Sequence, residues 1–463
     1  MSRTSMLVVV LLIVGLAGAL MAYATRDSSG SSTAASAAVA IPQPTAAQLE
    51  AAYLGKLPVA PESERVDIVA PAFTDPTTIT NPLFPISDLH SAVLNGTVDG
   101  KPFHTETTLL PETRIFEWTE GQQVETLTSQ YVAYLDGRIE EVALDYYAQA
   151  DDGSVWYFGE DVFNYDENGA VADTEGTWHA GKEGPPALIM PAAPQVGDVH
   201  RPENIPGLVF EEVAVKTIGK TVDGPRGLVS GALVSRELHQ DGTYSDKVFA
   251  PGYGEFYSAH GSDVEALALA VPIDALDGSV PPELGALSTR ADAAFAAIRA
   301  RNWRDASASV GELEGGWKSF RSERVPPRIA AEMTSAIAAL DRAVTARDRA
   351  RAGTAAIDVA RSALDLKLRY RPPADLDRAR FELWTRQLLV DAAARDVAGV
   401  RGDLATLEWI RDRFAATLDK VDLTRVDTQL VGLRGALNDA DLRRIAAGAD
   451  RLGATIAGIE ARG

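Results

Sequence analysis

Three side chains able to do chemistry fall in neighbouring segments of the first half of the chain: Asp145, Glu160 and His179. A two-residue turn at Asp152-Gly153 sets Asp145 opposite Glu160, Tyr147 opposite Phe158 and Gln149 opposite Trp156, all on one face. The same rule at Asn168-Gly169 puts Thr177 opposite Glu160 and His179 opposite Phe158. Two opposed carboxylates repel unless a cation, a shared proton or water compensates. With one imidazole they make a ligand set that suits several divalent metals. Trp156, Tyr147 and Phe158 beside them offer an aromatic wall to a bound small molecule. The competing reading is a solvated face on which a like-charged pair means little, with the aromatic residues as ordinary strand and core formers. A one-residue slip of register would send the trio to different faces.

Other chemistry is excluded more firmly. Gly-x-Ser-x-Gly, a Walker loop, Gly-x-Gly-x-x-Gly and His-Glu-x-x-His do not occur. With no cysteine there is no disulfide framework, thiolate zinc site, covalent c-type haem or thiol nucleophile. Asp166-Glu167-Asn168-Gly169 lacks the spaced acids and final bidentate Glu of a calcium loop and reads as a hairpin turn.

The elements that must position these residues announce themselves by turns. Glu120-Gly121, Asp136-Gly137, Asp152-Gly153 and Asn168-Gly169 recur every sixteen residues, and Asp223-Gly224 and Asp241-Gly242 extend the pattern to about residue 260. The segments between them are rich in Tyr, Val, Ile, Phe and Trp. Strands this long need strong twist or curvature, so a meandering antiparallel barrel or bent half-barrel is expected over residues 61–277.

Charge divides the chain. The 463 residues carry a net charge of -21, made of -26 over residues 1–285 and +5 over residues 286–463. All six histidines lie in the acidic part. Residues 278–285 (GSVPPELG) are expected to be the linker, and the two halves to attract each other at low salt. Nucleic acid is excluded as a partner of so acidic a molecule.

Beyond the linker the apolar period is near 3.6. Eight helices are expected, over 287–301, 303–321, 327–348, 352–370, 374–395, 398–419, 423–437 and 440–461. Residues 295–320 align without gaps on 389–414, which predicts two four-helix units, 286–372 and 373–463. The fold class is therefore α+β. Met333 is the one Met in the helical part, which has no His, so no haem is expected there, and any metal belongs to the first domain. Trp303, Trp317, Trp384 and Trp409 are expected as packing residues.

Residues 145–160 (DYYAQADDGSVWYFGE), 174–181 (TEGTWHAG), 188–198 (LIMPAAPQVGD) and 247–254 (KVFAPGYG) carry a resemblance. They are similar, in the same order, to segments of a family of uncharacterised exported bacterial proteins: D-x-Y-A-Q-D-x-x-G-N-V-W-Y-F-G-E-D, T-E-G-S-W-x-A-G, I-M-P-A-x-P-x-V-G-D and K-Y-Y-A-P-G-V-G. The resemblance covers about residues 75 to 260 and implies an exported β-domain with no assigned activity. Ala150 stands where an acidic residue is common, and His179 falls at a variable position, which leaves Asp145, Glu160 and Asp161 inside the motif.

Arg3 and the apolar run of residues 6–24, ending in Ala22-Tyr23-Ala24, read as a signal peptide cleaved after Ala24. The alternative is an uncleaved membrane anchor, since nineteen apolar residues just reach across a bilayer. Residues 25–60, rich in Ser, Ala, Thr and Pro, are expected to be a flexible linker. The chain is therefore expected in the periplasm or outside the cell. It is read as a non-catalytic binding or envelope-associated scaffold protein whose partner is a small molecule or an envelope protein. The alternatives are a divalent-metal protein or enzyme on Asp145, Glu160 and His179, and a carrier of a small apolar ligand in a barrel.

Overall fold

The computed structural model describes residues 39–321 and 325–459. The signal or anchor segment lies outside the described residues. Among the described residues no helix is long and apolar enough to cross a membrane.

Residues 39–60, expected as linker, are folded. Strand β1 (Val39–Ala40) pairs with β2 (Val69–Ala70), helix α1 (Ala46–Ala51) begins at a Thr45/Gln48 capping box, and Leu54 is fully buried. The apolar residues spaced through this Ser/Ala/Pro-rich stretch bury enough surface once the sheet is there to receive them.

Fourteen further strands form one antiparallel sheet: β3 (Ser91–Val98), β4 (Lys101–Thr119), β5 (Gln122–Leu135), β6 (Arg138–Gln149), β7 (Val155–Tyr165), β8 (Val171–Asp173), β9 (Trp178–His179), β10 (Ala187–Met190), β11 (Val199–Ile205), β12 (Val209–Gly224), β13 (Gly227–His239), β14 (Tyr244–Ala250), β15 (Gly254–His260) and β16 (Asp263–Val271). The main path runs β10-β7-β6-β5-β4-β3-β16-β15-β14-β13-β12-β11, with β8 and β9 also on β7. Its end strands β10 and β11 lie alongside each other without a ladder, so the sheet rolls round on itself but is not a closed barrel.

Turn chemistry explains much of this path. Asp136 and Gly137 both have positive φ (51° and 76°), the type I′ geometry of a two-residue hairpin, as do Asp99 and Gly100 (51° and 72°). Gly224 instead ends β12 and pairs with Gly227, leaving Pro225 and Arg226 in the turn.

The register of β6 on β7 departs from the expected one in two places. The connection at Asp152-Gly153 spans residues 150–154, which sets Gln149 opposite Val155 and Tyr147 opposite Tyr157 rather than Trp156 and Phe158. A bulge then puts Phe158 and Gly159 against Tyr146 alone and returns Asp145 to Glu160. Gly159 (φ +116°) is required there, since a Cβ would lie 2.1 Å from the Trp178 carbonyl oxygen.

The helices are α2 (Pro282–Arg299), α3 (Trp303–Phe320), α4 (Pro327–Thr345), α5 (Arg349–Lys367), α6 (Pro373–Ala394), α7 (Val397–Phe414), α8 (Lys420–Asn438) and α9 (Leu442–Ala457). Pro282, Pro327 and Pro373 take the first helical position, and Asn302, Asp348, Asp396, Asp419 and Asp441 cap the others. The left-handed turn residues Arg301 and Arg395 recur at the aligned offset, and Arg347 and Ala440 nearly so. In each set of four, the first helix packs on the second and fourth.

Residues 278–285 do not act as a free linker: α2 begins at Pro282 and Leu284 is fully buried. The helices cover the outer face of the sheet. Val93, Ala268, Leu269 and Val271 join the core of α2 to α5, and Ala405, Trp384 and Trp409 pack against Val132, Tyr134, Ile139 and Val142. Glu106 on β4 is buried between Arg380 of α6 and Arg413 of α7, and Arg380 also reaches Asp365 at 2.8 Å. Salt screens this buried network little, in contrast to the low-salt attraction expected between the halves, and the exposed Arg138–Asp396 pair is a contact of the salt-sensitive kind.

Candidate functional site

The inner face of the curved sheet surrounds a partly open cavity of about 270 Å³, lined by all twelve strands of the main path. Alternate residues of a strand share a face, so each strand contributes every second side chain. Their sequence along the strands gives the cavity two unlike ends. On β13 the inner residues run Leu233, Ser235, Glu237; on β12, Val213, Glu211; on β14, Phe249, Lys247; on β6, Tyr147, Asp145; on β7, Tyr157, Glu160. The last step is three residues, and the bulge at Gly159 supplies the extra one. Residues 79–86 close the apolar end, where Ile79, Leu83 and Phe84 pack on Met190, Leu233 and Phe249.

The polar end holds Asp145, Glu160, Glu203, Glu211, Glu237, Glu255 and Glu265 against a single lysine, Lys247. Glu203, on end strand β11, bridges the open seam: Trp178 Nε1 donates to its Oε1 at 3.3 Å, and it shares a hydrogen bond with Glu160. Burial first, and then the Glu203 charge, push the Glu160 carboxyl well above the usual range. Burial and then Glu211 do the same to Glu203. The two carboxyls form a proton-sharing pair. Burial raises Asp145 to about 7, although the Tyr157 hydroxyl donates to its Oδ1 at 2.8 Å and opposes the shift. Glu265, which accepts from Thr105 Oγ1, is also lifted to about 7, by burial and then by Glu255.

On the opposite wall the charges are matched. Lys247 Nζ lies 3.1 Å from Glu237 Oε2, and His239 Nδ1 lies 3.2 Å from Glu211 Oε1. Burial works to raise Glu211, but the His239 hydrogen bond and Lys247 outweigh it and hold Glu211 at about 2. Glu211, Glu237 and His239 bring their ligand atoms within 4.8 Å of one another, the one such trio among the described residues. Its electrons are already engaged: His239 Nε2 bonds Ser245 Oγ at 2.7 Å, and the Lys247 ammonium stands where a metal's charge would be. Among the residues that line the cavity, Glu203 Oε2, Ser235 Oγ, His200 Nδ1 and Glu237 Oε2 are buried without a hydrogen bond, although Glu237 Oε2 has its ion pair with Lys247.

Of the residues singled out from sequence, Asp145, Glu160 and Tyr147 meet in this cavity. Trp156 and Phe158 do not: both are fully buried in the core of the opposite face, with Phe73 and Phe116. His179 is also displaced. It pairs with Gly159 instead of Phe158, so Trp178 takes the inner position and the imidazole turns outward. There its Nε2 lies 2.9 Å from Asp161 Oδ1, and Tyr146 and Arg114 bind the other oxygen of that carboxylate. The proposed trio of Asp145, Glu160 and His179 is therefore divided between two faces, as a one-residue slip demands.

Glu203, Glu211, Glu237, Lys247 and Glu265 were not foreseen. Their one signal was a charged residue set among apolar strand residues, as in residues 209–213 (VFEEV) and 247–250 (KVFA). No protein-family model matches the chain, and no curated protein sequence matches it.

Proposed function

We propose that this chain is an exported, non-catalytic binding protein that holds a small organic ligand inside its curved sheet. The carrying observation is the partly open cavity on the inner face of the sheet, with an apolar end and a carboxylate end. A pocket with one apolar and one carboxylate end suits a small organic ligand that has both an apolar and a polar part. The helices support this role from outside: they cover the convex face of β3 to β6 and leave the inner face to the ligand. Export rests on the N-terminal pattern and on the resemblance to exported domains.

The reading is tested by native mass spectrometry of the full chain, as purified and after exposure to a panel of six- to twelve-carbon amines, alcohols and acids. A one-to-one complex is expected, and Ser235→Phe, which fills the cavity, abolishes it. A panel in which no member binds overturns the reading.

A metal protein built on the Glu211, Glu237 and His239 trio is the second reading, supported by the convergence of those three side chains. It predicts stoichiometric zinc or manganese in the protein after dialysis, lost in Glu237→Gln.

A further inference from the structure

A second cavity, separate from the one inside the sheet, lies where the two four-helix units meet. It has a volume of about 340 Å³ and is walled by the end of α2, the start of α5, the end of α6 and Ala446 of α9. We propose that this cleft binds an amphiphilic phosphate ester, with its phosphate seated on Arg301 and Arg349 and its hydrocarbon directed to Phe295, Leu389 and Val390. Among the described residues the only polar side chains in the lining are Arg299, Arg301 and Arg349, and no carboxylate lines it.

The internal duplication explains why the cleft has two unlike sides. Phe295 of α2 corresponds to Leu389 of α6, and Gly353 of α5 to Ala446 of α9, each of the latter two standing six residues beyond its left-handed turn residue, Arg347 or Ala440. Equivalent helix ends of the two units therefore face each other across the cleft. The equivalents of Arg299 and Arg349 are Ala393 and Leu442, so the first unit supplies the charge and the second offers small apolar side chains. Gly353 brings α5 close to α6, since a Cβ there would lie 2.8 Å from Val390 Cγ2, and this approach forms the floor.

Two of the three arginines are available to a ligand. Arg299 is engaged with Asp450, at 2.9 and 3.2 Å. Asp348, next to Arg349 in the chain, caps α5 and pairs with Arg351 at 3.6 Å. Among the described residues no Asp or Glu forms an ion pair with Arg301 or Arg349, and both can be reached from solvent, Arg301 being exposed and Arg349 half-buried. Arg301 also holds a left-handed φ of 57°, where glycine is the favoured residue, so the turn itself does not call for a long basic side chain. Two guanidiniums suit the doubly charged, three-oxygen face of a phosphate monoester, whereas a carboxylate has the oxygens for one bidentate partner. The first two residues of α5 line the cleft, and the dipole of that helix adds to the positive potential. Such an anion is repelled by the carboxylate end of the sheet's cavity, so the two sites select different ligands.

The test is isothermal titration of the full chain with hexyl phosphate and hexan-1-ol, alongside flotation with vesicles containing phosphatidic acid. Hexyl phosphate is expected to bind about tenfold more tightly than the alcohol, or better. Arg301→Gly suits the left-handed turn and removes the guanidinium without disturbing the fold; it and Arg349→Gln are each expected to weaken hexyl phosphate about tenfold while urea unfolding is not shifted to lower concentration. Arg347→Gly makes the same change at a turn outside the cleft and should leave the affinity unchanged, as should Ser235→Phe, which fills the cavity of the sheet. Binding of hexyl phosphate without flotation assigns a free ester, and binding with flotation assigns a lipid head group; both support the site. No binding of hexyl phosphate, equal affinity for the alcohol, or full affinity in the Arg301→Gly, Arg349→Gln double variant would overturn the proposal. An equal loss in Arg347→Gly would reduce the effect to non-specific charge, and a loss in Ser235→Phe would move the ligand to the sheet; either result also overturns it.

Discussion

Glu141 offers the sharpest test of the electrostatics of the inner sheet. It lies on β6, four residues before Asp145, and is buried. Burial, then the charges of Asp145, Glu265 and Glu140, raise its carboxyl from 4.5 to about 8. Between those two values the folded chain keeps a proton that the unfolded chain releases, so folding becomes less favourable as pH rises. The stability associated with this proton is complete below about pH 4 and lost through pH 8. Gln has the shape of the protonated acid and never ionises, so Glu141→Gln should remove the pH dependence without removing the packing. At 1.36 kcal/mol per pH unit, the variant should exceed wild type by about 4 kcal/mol at pH 8 and by less than about 1 kcal/mol at pH 5. Urea unfolding followed by far-ultraviolet circular dichroism at pH 5, 6, 7 and 8 measures the difference directly. A gap that is the same at every pH would show that Glu141 ionises normally, and would refute the account of a desolvated, mutually repelling inner face. Because two of the charges acting on Glu141 belong to the cavity, a bound cation should flatten the wild-type profile as well.

Four further outcomes follow from the packing. Gly159→Ala forces a Cβ to 2.1 Å from the Trp178 carbonyl oxygen at a left-handed position, so a loss of more than about 3 kcal/mol in urea unfolding is expected, and a loss below about 1 kcal/mol would remove the bulge from the argument. Glu106→Gln leaves Arg380 and Arg413 buried with Asp377 as their one remaining shared carboxylate, which should lower stability by about 3 kcal/mol, with little change between 0.05 and 1 M salt; a strong salt dependence would mean that the network is wet. His179→Ala breaks the contact with Asp161 on the outer face and should leave ligand affinity in the cavity unchanged, whereas a tenfold loss would return His179 to the site. Intact mass of the protein recovered from the periplasm or medium should begin at Thr25, and an uncleaved N-terminus in the membrane fraction would favour the anchor.

The helices could be read one at a time because their signals are local. Proline at a first position, Asp or Asn at a cap and an apolar period near 3.6 are complete within a single turn or helix, and each start lies within about five residues of its expected place. Asp136-Gly137 is equally local, since both of its residues must adopt positive φ. Residues 39–60 misled because their composition suits a tether, and only the sheet beneath them provides somewhere for Leu54 to be buried.

The cavity is of another kind. Asp145 met Glu160 as the chain predicts, but through a five-residue loop and a compensating bulge at Gly159, and the same geometry turned His179 to the far side. Sequence alone determined that an antiparallel sheet precedes eight helices, where those helices start, and that the acid belongs to the first half. Only the tertiary structure decided that Glu203, Glu211, Glu237 and Glu265, each unremarkable in an acidic domain, face inward on strands far apart in the chain. The reason is that a carboxylate's chemistry depends on what excludes water from it. Here that is done by the curvature of the whole sheet and the segment 79–86 that closes its apolar end, neither of which is encoded near the residues it affects.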